Sequence, residues 1–297
     1  GSFNELINIL IKTNNSSIEL LVSNPVSRNT LDSSLFLNFC KIKLACFLVK
    51  KGQVIDEIII DSESIKKVLS QISMFDNIKL VVKLPKRKIF NNYLISIINS
   101  FRYVIKQTYQ LLIFRLFFKR KVEKPDRKII LIDTYAIPGF YSKDRYYNGL
   151  WDHLKPEEKK KVFFTPSIAM TKWTKLFFAF KDLLNSERKF LFKESYLKIS
   201  DIFSAGLYPI KRQYLKIKPI IIDNIDYSPI IREEFTFHYG DSLGVDGIIN
   251  YKFVKRLKNK NILLSKVIDW WENQALDKGF HKGLNDCYPD VNTVGYM

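Results

Sequence analysis

Two short stretches concentrate the residue types that do chemistry. The first is Phe235-Thr236-Phe237-His238-Tyr239-Gly240-Asp241-Ser242-Leu243-Gly244-Val245-Asp246-Gly247, in which Asp241 and Asp246 stand among three glycines. Glycine lets a backbone approach a ligand closely. A Gly-Asp-Ser turn opening an apolar helix (Ile248, Ile249, Phe253, Val254, Leu257) is a candidate anion or sugar site at a helix entrance. It is neither a Walker loop nor a dinucleotide fingerprint. The second stretch runs from Val267-Ile268-Asp269-Trp270-Trp271-Glu272-Asn273-Gln274 through Asp277 and Lys278, and ends in Val291-Asn292-Thr293-Val294-Gly295-Tyr296-Met297. It reads as a polar cluster on a helix or at its entrance, feeding a buried strand. A carboxylate in such a place can take a proton from an attacking hydroxyl or attack as a nucleophile. Plainer readings stay open: a helix cap for Asp241, and a capped surface helix with its tryptophans in the core for the second stretch. Ser242, His238 and Asp241 form no nucleophile elbow, so no hydrolase triad is expected.

The elements that would position these groups alternate between strand and helix. Residues 3–12 read as a helix, Ser17–Ser23 as a first strand, Ser34–Lys51 as a helix, Val54–Asp61 as a strand, Ser64–Phe75 as a helix capped by serine, and Ile78–Lys83 as a strand. That order is the signature of a parallel α/β layer. Lys128–Tyr135 is a further buried strand, and ligands in such folds bind beyond the carboxyl ends of strands. Asp133 and Tyr135 are therefore candidate ligand contacts, with a helix cap as the rival role for Asp133. In Asp144-Arg145-Tyr146-Tyr147, Arg145 offers a fork for carboxylate or phosphate and the tyrosines can face a ring; the rival is an Asp144–Arg145 surface pair. Lys161–Thr165 is the next strand. Residues 171–218 read as helical and aromatic-rich, a helical insertion over a cleft or plain core packing, Pro219–Asp223 as a strand or an extended connection, and Tyr227–Tyr239 as a helix broken near Pro229.

With 297 residues, 46% hydrophobic content and few glycines and prolines, the chain can bury a sizeable core and is not a disordered class. Lys and Arg number 48 against 30 acids, a formal charge of +18, which calls for an anionic partner. No zinc-finger or RNA-binding signature accompanies the charge, so nucleic acid is not expected. The excess is most one-sided between Asn77 and Val122, which holds eleven Lys or Arg and no acid. Within it, residues 86–121 read as a basic amphipathic helix able to lie on an anionic membrane, or as a core helix with a solvated charged face. Cys40, Cys46 and Cys287 are odd in number and have no metal-like spacing, and His153, His238 and His281 are scattered. No metal site is expected, and a reducing, cytoplasmic setting is the simplest one. No apolar run reaches the length of a membrane span.

The segment WWENQALDKGF, followed by Tyr288-Pro289 and a strand ending in Gly295-Tyr296, resembles bacterial glycosyltransferases of the GT-B type that build capsule or lipopolysaccharide, some of them Kdo transferases. Asp144-Arg145-Tyr146-Tyr147 before a strand is a second point of likeness. The resemblance implies a Rossmann-like parallel sheet flanked by helices: the acceptor half of such an enzyme, one domain over 3–297. It implies a nucleotide-sugar donor, with CMP-Kdo among the candidates, a glycan or lipid-linked acceptor, no metal and no other cofactor, and a place at the cytoplasmic face of a membrane. An acid of the first domain faces the cleft in that family. By position Asp241 is the first choice and Glu272 the second, with Asn273, Gln274, His238, Gly240 and Ser242 as substrate binders. The family continues into a nucleotide-sugar domain beyond the point where this chain stops, so this half alone is expected to be inactive. The rival is a non-catalytic basic module that binds anionic membrane or glycan.

Overall fold

The structure, a computed structural model, describes residues 2–14, 17–27, 33–83, 88–141, 143, 145–147, 149–237, 242–272 and 274–296. Its strands are β1 (Glu57–Ile60), β2 (Lys79–Val82), β3 (Ile129–Ala136), β4 (Val162–Ile168), β5 (Ile221–Ile222), β6 (Ile225–Asp226), β7 (Leu264–Trp270) and β8 (Asn292–Tyr296). Where the sequence suggested one domain over 3–297, the chain divides into two compact units: Gly1–Ser100 with Leu207–Gly244, and Phe101–Gly206 with Val245–Met297.

In the first unit β1 and β2 pair in parallel, Glu57 opposite Lys79 through Ile60 opposite Val82. Helices Phe3–Thr13, Leu35–Lys50, Glu63–Leu69 and Ser228–Phe237 close a core that includes Leu6, Ile7, Phe39, Ile65, Ile230 and Ile231. The strand expected at Ser17–Ser23 is instead a helical turn, Ile18–Leu21, with the Ser17 hydroxyl accepting from the Leu20 amide at 3.2 Å. A short apolar run does not by itself separate a strand from a buried turn of helix. The serine that caps helix Glu63–Leu69 is Ser62, whose Oγ accepts from the amides of Ser64 and Ile65, both at 3.1 Å. Pro229 does not break its helix; it is the second residue of Ser228–Phe237, where a missing N–H costs nothing. β5 and β6 form an antiparallel hairpin whose turn residues, Asp223 and Asn224, both take positive φ (51° and 63°), the conformation that a two-residue hairpin loop requires.

The second unit is built on a wholly parallel sheet in the order β4-β3-β7-β8. It is α/β, with helices flanking the sheet, and compatible with a Rossmann-like arrangement. The chain leaves β3 to one side to form β4 and later returns to β3's other side to form β7. The boundary between β3 and β7 is therefore the switch point at which open α/β sheets bind ligands. Val267–Trp270, expected on or near a helix, belongs to strand β7; the helix begins only at Ala275. β8 is an edge strand, largely exposed, and not the buried strand expected.

Side chains alternate across a strand. One face of the sheet presents Ile132, Val162 and Phe164 to Phe114, Phe118, Phe180 and Phe192. The Phe114 ring lies 5.1 Å from Phe180 and 4.9 Å from Phe192. Within 171–206 the core-packing alternative holds for Phe180, Leu183, Phe190 and Phe192: Phe180 lies in helix Leu176–Leu184, and the following segment hydrogen-bonds to β4, Phe164 N–H to Lys189 O and Leu191 N–H to Phe164 O, both at 2.8 Å. The rest of that stretch, from Leu207, belongs to the first unit.

The opposite face meets helix Ala275–Cys287, which crosses helix Ser242–Asn259 backbone to backbone. A Cβ on Gly279 would stand 1.9 Å from the Gly247 carbonyl oxygen, and one on Gly283 would stand 2.9 Å from Val254 Cβ. Gly247, expected to let a ligand approach, instead admits another helix. Gly279→Ala must push the helices apart and is expected to cost roughly 2–4 kcal/mol in urea unfolding. A loss below about 0.5 kcal/mol would contradict this crossing.

Candidate functional site at the switch of the sheet

The register that sets Ile132 opposite Ile268 carries one residue further and brings Asp133 and Asp269 side by side on the helix-covered face. They are 1% and 0% exposed. A third acid, Asp277, fully buried, comes from the first turn of helix Ala275–Cys287. Its Oδ2 accepts from the amides of Glu272 (3.0 Å) and Gln274 (2.9 Å), tying the loop after β7 to the start of the helix. The second oxygen, Oδ1, of each of these three acids has no hydrogen-bond partner among the described residues.

Like charges in a dry space favour the protonated form. Burial, then the neighbouring Asp269, pushes the Asp277 carboxyl up to about 7. Burial also holds Asp133 well above the usual carboxylate range, opposed by Lys193 and reinforced by Asp269 and Asp277. Lys193, itself buried, donates to Ser167 Oγ and Asn250 Oδ1, both at 2.6 Å, and Asn250 donates to the Leu276 carbonyl at 3.3 Å. Asp246, on helix Ser242–Asn259, accepts from Gln107 Nε2 at 3.1 Å; burial raises its pKa while Lys106 and Lys193 lower it.

His281 Nε2 lies 2.7 Å from Asp269 Oδ2; the histidine side chain is 25% exposed and the aspartate 1%. When Nε2–H donates to the carboxylate, Nδ1 is left with the lone pair that takes a proton. This is the orienting role an aspartate plays toward a histidine base. The edge of Trp271 meets the imidazole at 4.6 Å between ring centres.

Around this core the strand ends carry an aromatic rim. Tyr146 lies 5.6 Å from Tyr135 and 4.9 Å from Trp270, and Tyr296 lies 5.4 Å from Trp270 and 5.6 Å from Tyr147. The Tyr147 hydroxyl donates to the Asp133 carbonyl at 2.6 Å. The Arg145 guanidinium sits over Phe140 and Tyr146. Glu272 accepts from Trp270 Nε1 at 2.7 Å and from Gln274 Nε2 at 2.6 Å. Aromatic faces beside a guanidinium and a carboxylate–amide pair suit a polyhydroxylated ring with an acidic substituent. Over the β3–β4 side a cleft of about 680 Å³ opens beyond the strand ends, lined in part by Pro138, Tyr141, Thr171, Lys172, Lys175 and Phe178.

Of the residues singled out in the sequence, Asp133, Tyr135, Arg145, Tyr146, Glu272 and Gln274 come together at this end of the sheet. Asp144, His238, Gly240, Asp241 and Asn273 lie outside the described residues. Ser242 opens helix Ser242–Asn259, is exposed, and is counted with the first unit. Sequence reasoning missed His281, Lys193, and the separate parts played by Asp269 and Asp277. The i,i+4 spacing of Asp277 and His281 was the available signal, since it places both on one helix face; Lys193 had none. No group of three or more His, Cys, Asp or Glu that could hold a metal ion occurs among the described residues.

The raised Asp277 pKa has a defined effect on stability. Its folded value of about 7 lies above the ordinary 3.8, so the folded state holds the proton more tightly between the two. The stability this provides is full below about pH 4 and is lost as pH rises through 7, and Asp133 acts in the same direction. Asp277→Asn keeps an oxygen for the two amides and removes the titration. From about pH 5 to about pH 8 the variant should gain on the wild type by a few kcal/mol, about 4 at most, in urea unfolding. Parallel stability–pH curves would contradict the assignment.

The chain matches no protein-family model, no curated protein and no solved structure.

Proposed function

We propose that this chain is the acceptor-side half of a GT-B glycosyltransferase, which moves a sugar from a nucleotide-sugar donor to a surface-polysaccharide or lipopolysaccharide acceptor. The observation that carries the reading is the Asp269–His281 pair at the carboxyl end of the central parallel strands, next to an aromatic rim. In the proposed reaction the acceptor hydroxyl oxygen attacks the anomeric carbon of the donor. The bond from that carbon to the donor phosphate oxygen breaks, and the nucleotide leaves with the electron pair. The hydroxyl proton passes to Nδ1 of His281, which Asp269 orients and stabilises as it becomes charged.

Glu272 takes a different part from the one the sequence suggested for it. Both of its oxygens already accept hydrogen bonds, from Trp270 and Gln274, so it holds the rim and meets sugar hydroxyls. Tyr146 and Trp270 offer faces to the acceptor ring, and Arg145 meets an acidic group on it. A second domain supplies most of the contacts to the donor nucleotide, for which CMP-Kdo is one candidate. The reaction runs at the cytoplasmic face of a membrane. A non-catalytic glycan-binding module would use the same rim and have no need of a base.

The test is nucleotide release by the intact protein that contains this chain, with a panel of nucleotide sugars and surface-glycan acceptors. His281→Gln should lower kcat about 100-fold or more, with the circular dichroism spectrum unchanged and the acceptor KM within about threefold. Asp269→Asn should act in the same direction. Transfer undiminished in His281→Gln would contradict the assigned base. Glycan binding without nucleotide release from any donor would favour the binding module.

A further inference from the structure

The part of helix Lys88–Phe117 that belongs to the second unit, from Phe101 onward, is apolar on two faces. One face, with Val104, Leu111 and Phe114, is buried in the core. The other carries Phe101, Ile105, Tyr109, Leu112 and Leu116, spaced by four, four, three and four residues, the period of a single helix face. All five are exposed, Phe101 at 61% and Leu116 at 76%. Ring contacts extend this row onto helix Leu176–Leu184: Phe117 meets Phe177 at 5.4 Å, and Phe177 meets Phe178 at 5.7 Å. Phe178 is exposed and lines the cleft beyond β3 and β4. Single exposed apolar residues are ordinary, but a contiguous row rimmed by charge marks a docking surface.

The charge beside the row is mostly positive. No acid occurs between Asn77 and Val122. Arg102, Lys119, Arg120 and Lys121 are exposed along the helix or just past its end, and Lys172 and Lys175 stand at the cleft, where Asp182 is the one acid among the lining residues. Apolar side chains on one helix face, with cations predominating beside them, match a surface that is oily below and negative above. That is the interface of an anionic bilayer. A nucleic acid would meet the cations and leave the apolar row in water. No helix among the described residues is long and apolar enough to cross a membrane, so the contact is peripheral.

We propose that this face docks on an anionic lipid bilayer. The row from Phe101 to Leu116, with Phe117, Phe177 and Phe178, reaches into the headgroup–acyl boundary, and Lys172 and Lys175 take a lipid phosphate at the mouth of the cleft. The inference stands on the surface alone and does not depend on the proposed transfer chemistry.

The test is co-sedimentation of the full chain with phosphatidylcholine vesicles, with and without about one third phosphatidylglycerol. The chain should sediment with the anionic vesicles only, and its partitioning should fall at least about tenfold from low to high salt. The double variant Leu112→Glu/Leu116→Glu changes two exposed side chains and should keep its circular dichroism spectrum while losing about tenfold or more of the binding. Lys172→Ala/Lys175→Ala should weaken binding several-fold. Failure of the wild type to sediment with anionic vesicles would overturn the proposal, as would equal sedimentation of a folded Leu112→Glu/Leu116→Glu variant. A wild-type dimer in light scattering that this variant turns to monomer, with no vesicle binding by either, would assign the face to a second copy of the chain.

Discussion

Two carboxylates on neighbouring strands, one residue beyond a matched pair of isoleucines, constrain the second unit. Asp133 and Asp269 are fixed there by the parallel register and enclosed by helix. Burying unpaired charge is expensive, and much of the surrounding structure offsets that expense. Lys193 supplies positive charge, His281 takes one oxygen of Asp269, and Asn250 links the lysine to the backbone at Leu276. The glycine crossing of helices Ser242–Asn259 and Ala275–Cys287 sets the distance at which these groups act, because Gly279 lies between Asp277 and His281 on the same helix. Apolar residues of similar size would give a steadier core. Acids kept in such a place, with burial and neighbouring carboxylates raising the pKa values of Asp133 and Asp277, are characteristic of a working site.

Much of the unit's frame was legible in the sequence. β3 opens on an unbroken apolar run, Ile129–Ile132, and the Asp133 that follows it points to the carboxyl half of the strand, toward the end at which parallel sheets bind ligands. Arg145, Tyr146 and Gln274 stood out in the sequence as candidate ligand contacts and Glu272 as a candidate catalytic acid, and the fold brings the four to one rim. The long acid-free helix was visible from its period and its charge. Other features were not readable, for definite reasons. The apolar run at Ile18–Leu21 is too short for its periodicity to distinguish a turn of helix from a strand. The tryptophan-rich stretch changes from strand to helix at Gln274, and its mixed polarity hides the change. His281 looked isolated because its partner, Asp269, is on a different element, and Lys193 reaches the acids from a segment some sixty residues after Asp133. Gly247 signalled a close approach without saying whether a ligand or a helix made it.

The aromatic rim, the Asp269–His281 pair and the cleft beyond β3 and β4 lie at the same end of one sheet. Phe178 joins that cleft to the exposed apolar row of the neighbouring helix. A lipid-linked glycan acceptor requires a polar, ring-binding site close to a surface that tolerates a bilayer. The two proposals therefore reinforce each other in place while resting on different residues.

The central claim is that the switch point of the second unit is where a glycan binds. Side-chain NMR of the chain labelled at tryptophan, tyrosine and histidine, titrated with a surface-glycan oligosaccharide, tests it most directly. The account predicts saturable shifts at Trp270, Tyr146 and His281. Saturable shifts confined to residues away from these strand ends, with those three signals unmoved, would contradict it.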